Sequence, residues 1–280
     1  MGISMAHGDP QFPALIIFGD SLVDVGNNNN LTTLVKANFP PYGRDFVTHG
    51  PTGRFSNGKL ATDFTADYLG FTSNPPAYLS QEAKGVNTLT GVNFASAASG
   101  YCDNTARLYG TISLTQQLNN YREYQNEVAK FVRTGSAKDW SHKLTTNWVF
   151  ASSNHPIWLR KKPVHPKVKP VHLKLVVFDI FEPVLDMITN PGDNDSSNMY
   201  VIDYYIYCLI TKFHYLTGFF ETRRACCGTG RLETSMFCNS RSVTCTNATG
   251  YVFWDGFHPS EAANKFLAGN LLQQGFDLIS

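Results

Sequence analysis

Charge is scarce in this chain of 280 residues: Asp, Glu, Lys and Arg make up 16% of it, and Lys+Arg 23 against Asp+Glu 22 leaves a formal net charge of +1. So little basic excess argues against a nucleic acid as partner, because binding a phosphate backbone needs clustered cations. Disorder is excluded from the other side, since 42% of the residues are hydrophobic and net charge is nearly nil. Long apolar runs are also missing. The nearest approach to a membrane span of about 20 residues is Met199 to Leu216, which Asp203, Lys212 and His214 interrupt. The polar start, Met1 to Gln11, lacks the apolar stretch of a secretory leader. There is no internal repeat, and no Cys-x-x-Cys pair of the kind that holds a structural zinc.

Four of the six cysteines, Cys226, Cys227, Cys238 and Cys245, crowd into one short stretch, while Cys102 and Cys208 stand apart. With potential glycosylation sequons at Asn30, Asn194 and Asn247, the cluster fits disulfides formed in an oxidising compartment better than zinc. Cys226 and Cys227 are expected to pair with Cys238 and Cys245, in either connectivity.

Pro13 to Phe18 is a short unbroken apolar run, the pattern of a strand buried on both faces of a parallel sheet. Gly91 to Ala95 and Leu173 to Asp179 read as two more such strands. Helices are expected over Asn57 to Leu69, Leu114 to Val132 and Pro183 to Ile188, and from Glu261 to about Gln273 behind a Ser260 cap. Between Trp140 and Leu173, four prolines among lysines and histidines sustain neither period. Asp195 to Thr217, heavy in Tyr, Ile and Asn, is foreign in composition to the rest of the chain.

Gly19-Asp20-Ser21 follows the first strand, so the Ser21 hydroxyl stands at the carboxyl edge of the sheet, where open α/β sheets place their sites. A serine needs a base to become a nucleophile. Among eight histidines, His258 has the most suggestive neighbourhood, with Asp255 three residues earlier in a glycine-containing turn. That spacing lets the carboxylate hold one ring nitrogen while the other faces the serine. Each motif by itself is an ordinary turn.

Together with their surroundings they resemble a family. Phe18-Gly-Asp-Ser-Leu-Val-Asp-Val-Gly-Asn-Asn28, Gly53-Arg-Phe-Ser-Asn-Gly58, Val92 to Gly100, Lys174 to Ile180, Arg224-Ala-Cys-Cys-Gly228 and Phe253-Trp-Asp-Gly-Phe-His-Pro-Ser260 resemble, in order, the blocks of plant GDSL esterase/lipases of the SGNH hydrolase superfamily. The resemblance implies one domain over residues 13–280, with 140–172 and 195–217 as atypical segments. The implied fold is α/β: a three-layer α/β/α SGNH-hydrolase with a flavodoxin-like parallel sheet, incomplete at its centre. It implies hydrolysis of lipid or other acyl esters through an acyl-serine, without cofactor or metal, and an extracellular location. Carried over by position, Ser21 is the nucleophile, His258 the base and Asp255 its orienting acid. The Ser21 and Gly100 N–H groups form the oxyanion hole. Arg54, Phe55 and Asn57 are expected to be structural, and Asp20 and Asp24 to fix the nucleophile turn.

One block is missing. SGNH hydrolases take a third oxyanion donor from a Gly-x-Asn-Asp block, and here Asn154 in Ala151-Ser-Ser-Asn-His155 is the candidate by order, whereas Gly192-Asp-Asn-Asp195 falls after the late strand and reads as coincidence. The competing reading is therefore an inactive relative that binds an acyl or glycan ligand.

Overall fold

The computed structural model describes residues 10, 12, 14–133, 146–152, 172–178, 181–190 and 218–275. Four strands form one parallel sheet in the order β2-β1-β3-β4, with β1 at Leu15–Phe18, β2 at Gly91–Asn93, β3 at Thr146–Ser152 and β4 at His172–Phe178. The helices are α1 (Ala61–Tyr68), α2 (Asp103–Tyr109), α3 (Leu114–Arg133), α4 (Phe181–Thr189) and α5 (Glu261–Gly275).

All four β1 side chains are buried, as an unbroken apolar run predicts, and the two-residue period of a strand sends them to opposite faces. Leu15 and Ile17 join Ala61 and Ala66 of α1, Met187 of α4 and Leu267, Ala268 and Leu271 of α5. Ile16 and Phe18 join Val92, Phe94 and, from α3, Tyr121, Tyr124 and Val128. Helices thus cover both faces of β1, and each large side chain so buried contributes about 1.5–3 kcal/mol. Gly91 starts β2 at φ +117, where a Cβ would meet the Leu15 carbonyl oxygen at 1.9 Å. Only glycine permits that approach.

Several elements differ from expectation. The first helix starts at Ala61 rather than Asn57, because the Asp63 carboxylate accepts the Leu60 N–H at 2.8 Å and caps the helix there. The helix α2 has no counterpart in the sequence reading; it ends at Gly110, φ +65. Most informative is β3, which lies inside the stretch expected to sustain neither period. Its seven residues precede all four prolines, and it pairs with β1 on one side and β4 on the other. Backbone hydrogen bonding to two neighbours, rather than side-chain alternation, sets a central strand. Ser260 caps α5 as expected, its hydroxyl accepting the Ala263 N–H at 3.2 Å.

Residues 195–217, Cys208 and the Met199 to Leu216 run lie outside the described residues. Among the described ones, no helix is long and apolar enough to cross a membrane.

Candidate active site

The strand order reverses between β1 and β3, and ligands of open parallel sheets bind beyond the carboxyl ends at such a reversal. Phe18, the last residue of β1, pairs with Ala151, and β3 ends one residue later at Ser152. The chain leaves β1 through Gly19, whose N–H donates to Gln117 Oε1 at 3.1 Å. Its carbonyl accepts from Gln117 Nε2 at 2.9 Å, Ser99 Oγ at 3.1 Å and Ser96 N at 3.1 Å. Gln117 of α3 and two serines of the loop after β2 therefore fix the residue two before Ser21. Asp20 Oδ1 accepts the Leu22 N–H at 3.0 Å, and the Asp20 carbonyl accepts from Asp24 N at 3.0 Å, closing a tight turn with Ser21 inside it, half-buried.

Asp24 joins this turn to the loop that carries Gly100. Its Oδ1 accepts the N–H groups of Gly26 and Asn27 at 2.8 and 2.7 Å, and its Oδ2 accepts that of Ala97 at 2.9 Å. Asn28 adds a second link, donating to the Ala97 carbonyl at 3.1 Å. Gly100 adopts φ +59, and a Cβ there would sit 2.9 Å from Thr105 Cβ. Among the described residues no acceptor takes the N–H of Ser21 or Gly100, so both can serve an incoming oxyanion.

The buried Asp24 has a measurable consequence. Burial pushes its carboxyl from 3.8 up to about 6, against the lowering effect of its backbone donors. A folded-state value raised in this way gives stability that is full below the ordinary value and lost as pH rises through about 6. The loss is about 3 kcal/mol. Wild type should therefore gain stability relative to Asp24→Asn as pH falls from about 7 to 4 in urea titrations. A difference flat with pH counts against it.

His258 and Asp255 are both buried and joined. His258 Nδ1 lies 2.8 Å from each Asp255 oxygen, and Asp255 Oδ1 also accepts the backbone N–H of His258 at 2.9 Å and of Phe257 at 3.2 Å. Burial alone would raise the Asp255 carboxyl; the charge and hydrogen bonds of His258, with Tyr42, outweigh it, and the net shift is downward. Asp255 thus stays an anion and fixes the tautomer with the proton on Nδ1. Nε2, buried, has no hydrogen-bond partner among the described residues, which leaves its lone pair for a proton transfer.

Ser21 and His258 do not hydrogen-bond directly in this structure, as is common in unliganded sites. They do share one electrostatic neighbourhood: burial raises the Asp20 carboxyl, and the His258 charge opposes that shift.

The Arg54 guanidinium makes a two-pronged buried ion pair with Asp63, at 2.7 and 2.8 Å. Asn57 Oδ1 accepts the Glu261 N–H at 2.8 Å, tying the same block to the start of α5. The Phe55 ring lies 4.9 Å from the imidazole of His258. Tyr42, Thr234 and Gln117 were not singled out in the sequence at all. Tyr42 sits in a Pro-Pro-Tyr-Gly stretch that reads only as a turn, and its contact with Asp255 spans 213 positions.

The four clustered cysteines form Cys226–Cys245 and Cys227–Cys238, which resolves the connectivity the sequence left open. These bridges brace Asp255: Cys226 N and Cys227 N donate to the carbonyls of Phe253 and Trp254. Each closes a loop short enough to contribute about 3 kcal/mol by restricting the unfolded chain. Thiol titration of native protein under non-reducing conditions should find at most two reactive thiols, Cys102 and Cys208. Four or more would refute the pairing. Asn30 and Asn247 are exposed; Asn194 lies outside the described residues, as do Asn154, the candidate third donor, and the coincidental Gly192 to Asp195. The chain leaves β3 at Ser152, two positions before Asn154.

The sequence pattern of the family described as GDSL-like Lipase/Acylhydrolase matches residues 15–159 and 174–271. The match takes in residues 140–159, with β3, and leaves out 160–173. GDSL esterase/lipase At5g03820 of Arabidopsis thaliana is 46% identical, over 98% of this chain and 94% of its own length. GDSL esterase/lipase APG of the same plant is 38% identical, over 95% and 92%. The first alignment runs over 355 positions against 280 residues here, so that relative has at least 75 positions with no counterpart in this chain. With most of its length inside the pattern and identity well above 30% over nearly all of it, the chain belongs to the GDSL-like lipase/acylhydrolase family.

Proposed function

We propose that this protein hydrolyses carboxylic esters of lipids or other acyl compounds, using Ser21 as nucleophile, His258 as general base and acid, and Asp255 as the residue that orients it. The observation that carries the reading is the buried Asp255–His258 pair, with Nδ1 engaged and Nε2 without a hydrogen-bond partner among the described residues; Ser21 follows β1 at the carboxyl edge of the sheet. Family membership and the esterase names of the relatives support the same chemistry.

In the first half-reaction Ser21 Oγ attacks the ester carbonyl carbon while its proton passes to His258 Nε2. The carbonyl oxygen becomes an oxyanion facing the Ser21 and Gly100 N–H groups. Collapse expels the alcohol, which takes the proton from Nε2 and leaves an acyl-serine. Water then repeats the sequence, with Nε2 accepting its proton, and releases the acid. Asn154 is the candidate for a third oxyanion donor by its place after β3. If no residue fills that role, turnover falls by ~10²–10³.

The reading extends to architecture and location. A three-layer α/β/α arrangement is supported by the helices on both faces of β1, within one domain over residues 13–280. An extracellular site of action is supported by the two disulfides.

The test is turnover of p-nitrophenyl acetate and butyrate by purified protein whose folding is verified by circular dichroism. Saturable hydrolysis is the expected result. A folded protein that neither turns over these esters nor reacts with a fluorophosphonate probe would favour the non-catalytic, ligand-binding alternative.

A further inference from the structure

The Asp255 carboxylate has more partners than a histidine-orienting acid needs. Besides His258 Nδ1 and two backbone N–H groups, its Oδ2 accepts from the Tyr42 hydroxyl and, at 3.3 Å, from Thr234 Oγ1. The Tyr42 ring is 1% exposed and packs edge-on against Phe39 and Phe55. A phenylalanine would fill that space equally well, so the hydroxyl needs its own explanation.

The Tyr42 oxygen accepts the Ser235 N–H at 2.8 Å. Of its two other polar neighbours, the Thr234 hydroxyl and the Asp255 carboxylate, the anion is the stronger acceptor, so the O–H bond points at Oδ2. Burial, then the charge of Asp255 and the hydrogen bond to it, push the phenol far above its ordinary value, and it remains a donor at any working pH. Ser235 is in turn anchored: its Oγ donates to the Leu34 and Lys36 carbonyls at 3.1 and 3.0 Å. The Cys227–Cys238 bridge closes the loop that carries Thr234 and Ser235.

We propose that Tyr42 is a positioning residue for the acid–base pair: its hydroxyl fixes the plane of the Asp255 carboxylate and draws charge away from the oxygens that face His258 Nδ1. This inference rests on the assignment of Asp255 and His258 made above. A carboxylate that shares its charge with a phenol is a weaker partner for the imidazolium. Without that sharing, the carboxylate holds a charged ring more tightly. A carboxylate held on both oxygens also cannot swing about its Cβ–Cγ bond, so the ring it holds keeps Nε2 aimed at the nucleophile. Asp20, on the nucleophile turn, also acts on the imidazole; it is untouched in the comparisons below.

The experiment compares wild type, Tyr42→Phe and protein with 3-fluorotyrosine at position 42, a stronger donor of nearly the same shape. The readouts are the pH dependence of kcat/KM for p-nitrophenyl butyrate and the proton resonance of His258 Nδ1. In Tyr42→Phe the acid limb should move up by about half a unit, about threefold in kcat/KM on that side. The plateau kcat should fall roughly tenfold with KM changed less than about twofold, and the Nδ1 proton should move downfield. The fluorinated protein should shift both readouts the opposite way. Loss of kcat or stability in Tyr42→Phe with the acid limb and the Nδ1 proton unmoved means a packing role only, and overturns the proposal. So does the absence of any change. If Tyr42→Phe does not fold, the fluorinated protein decides alone, an unmoved limb being the adverse result. If wild type is inert toward the ester, or His258→Ala remains active, the functional reading itself fails. The Nδ1 resonance still decides whether Tyr42 acts on the pair.

Discussion

Ser21→Ala should give a folded protein that has lost ester hydrolysis by ~10⁴-fold or more and no longer reacts with a fluorophosphonate probe. That loss is about 5 kcal/mol of transition-state stabilisation. It is large because the Ser21 oxygen is the atom that would form the acyl bond, and alanine has nothing to replace it. His258→Ala should be nearly as damaging, since the Ser21 proton would have no acceptor. Asp255→Asn should cost roughly 10³–10⁴ in kcat, because an amide there cannot keep the proton on Nδ1. Labelling needs a single turnover, so it reads the nucleophile even where a missing oxyanion donor slows steady-state hydrolysis. A Ser21→Ala protein that still labels would move the nucleophile elsewhere in the chain.

The largest effect on stability is expected from Arg54. Its guanidinium meets Asp63 through two hydrogen bonds, with side-chain exposures of 10% and 2%. Asp63 also caps α1 through the Leu60 N–H. Arg54→Ala strands a buried carboxylate at the start of a helix that packs on β1, and should destabilise the protein by about 3–5 kcal/mol in urea titration. That is a large part of the total stability of an ordinary domain. Arg54→Met with Asp63→Leu should recover much of the loss, because a buried ion pair and a packed apolar pair are close in net worth. Cost below about 1 kcal/mol for Arg54→Ala would mean that water reaches the pair and screens it.

Local sequence determined a good deal here. The run Leu15–Phe18 is apolar without a break, and a strand is the only short element that can bury every residue of such a run on two faces. Leu118, Tyr121, Val128 and their neighbours fall at helical spacing, and α3 buries that stripe against Ile16 and Phe18. Asp255 and His258 are three residues apart in one turn, so their contact is local and was legible before any fold was known. The cysteine cluster was legible as disulfides for the same reason. Its connectivity was not, because chain entropy barely separates loops of such similar length.

Tertiary structure alone decided the rest. Thr146–Ser152 is a strand because β1 and β4 flank it, a fact about partners that no window of its own residues contains. Tyr42 reaches Asp255, Phe55 reaches His258 and Gln117 reaches Gly19 across 98 to 213 positions. None of these side chains belongs to a type or spacing that announces its role. The chain could offer Ser21, Asp255 and His258 as candidates, since turn chemistry is local. The residues that hold them in place are chosen by whatever the folded core brings alongside, and only the packed structure supplies that.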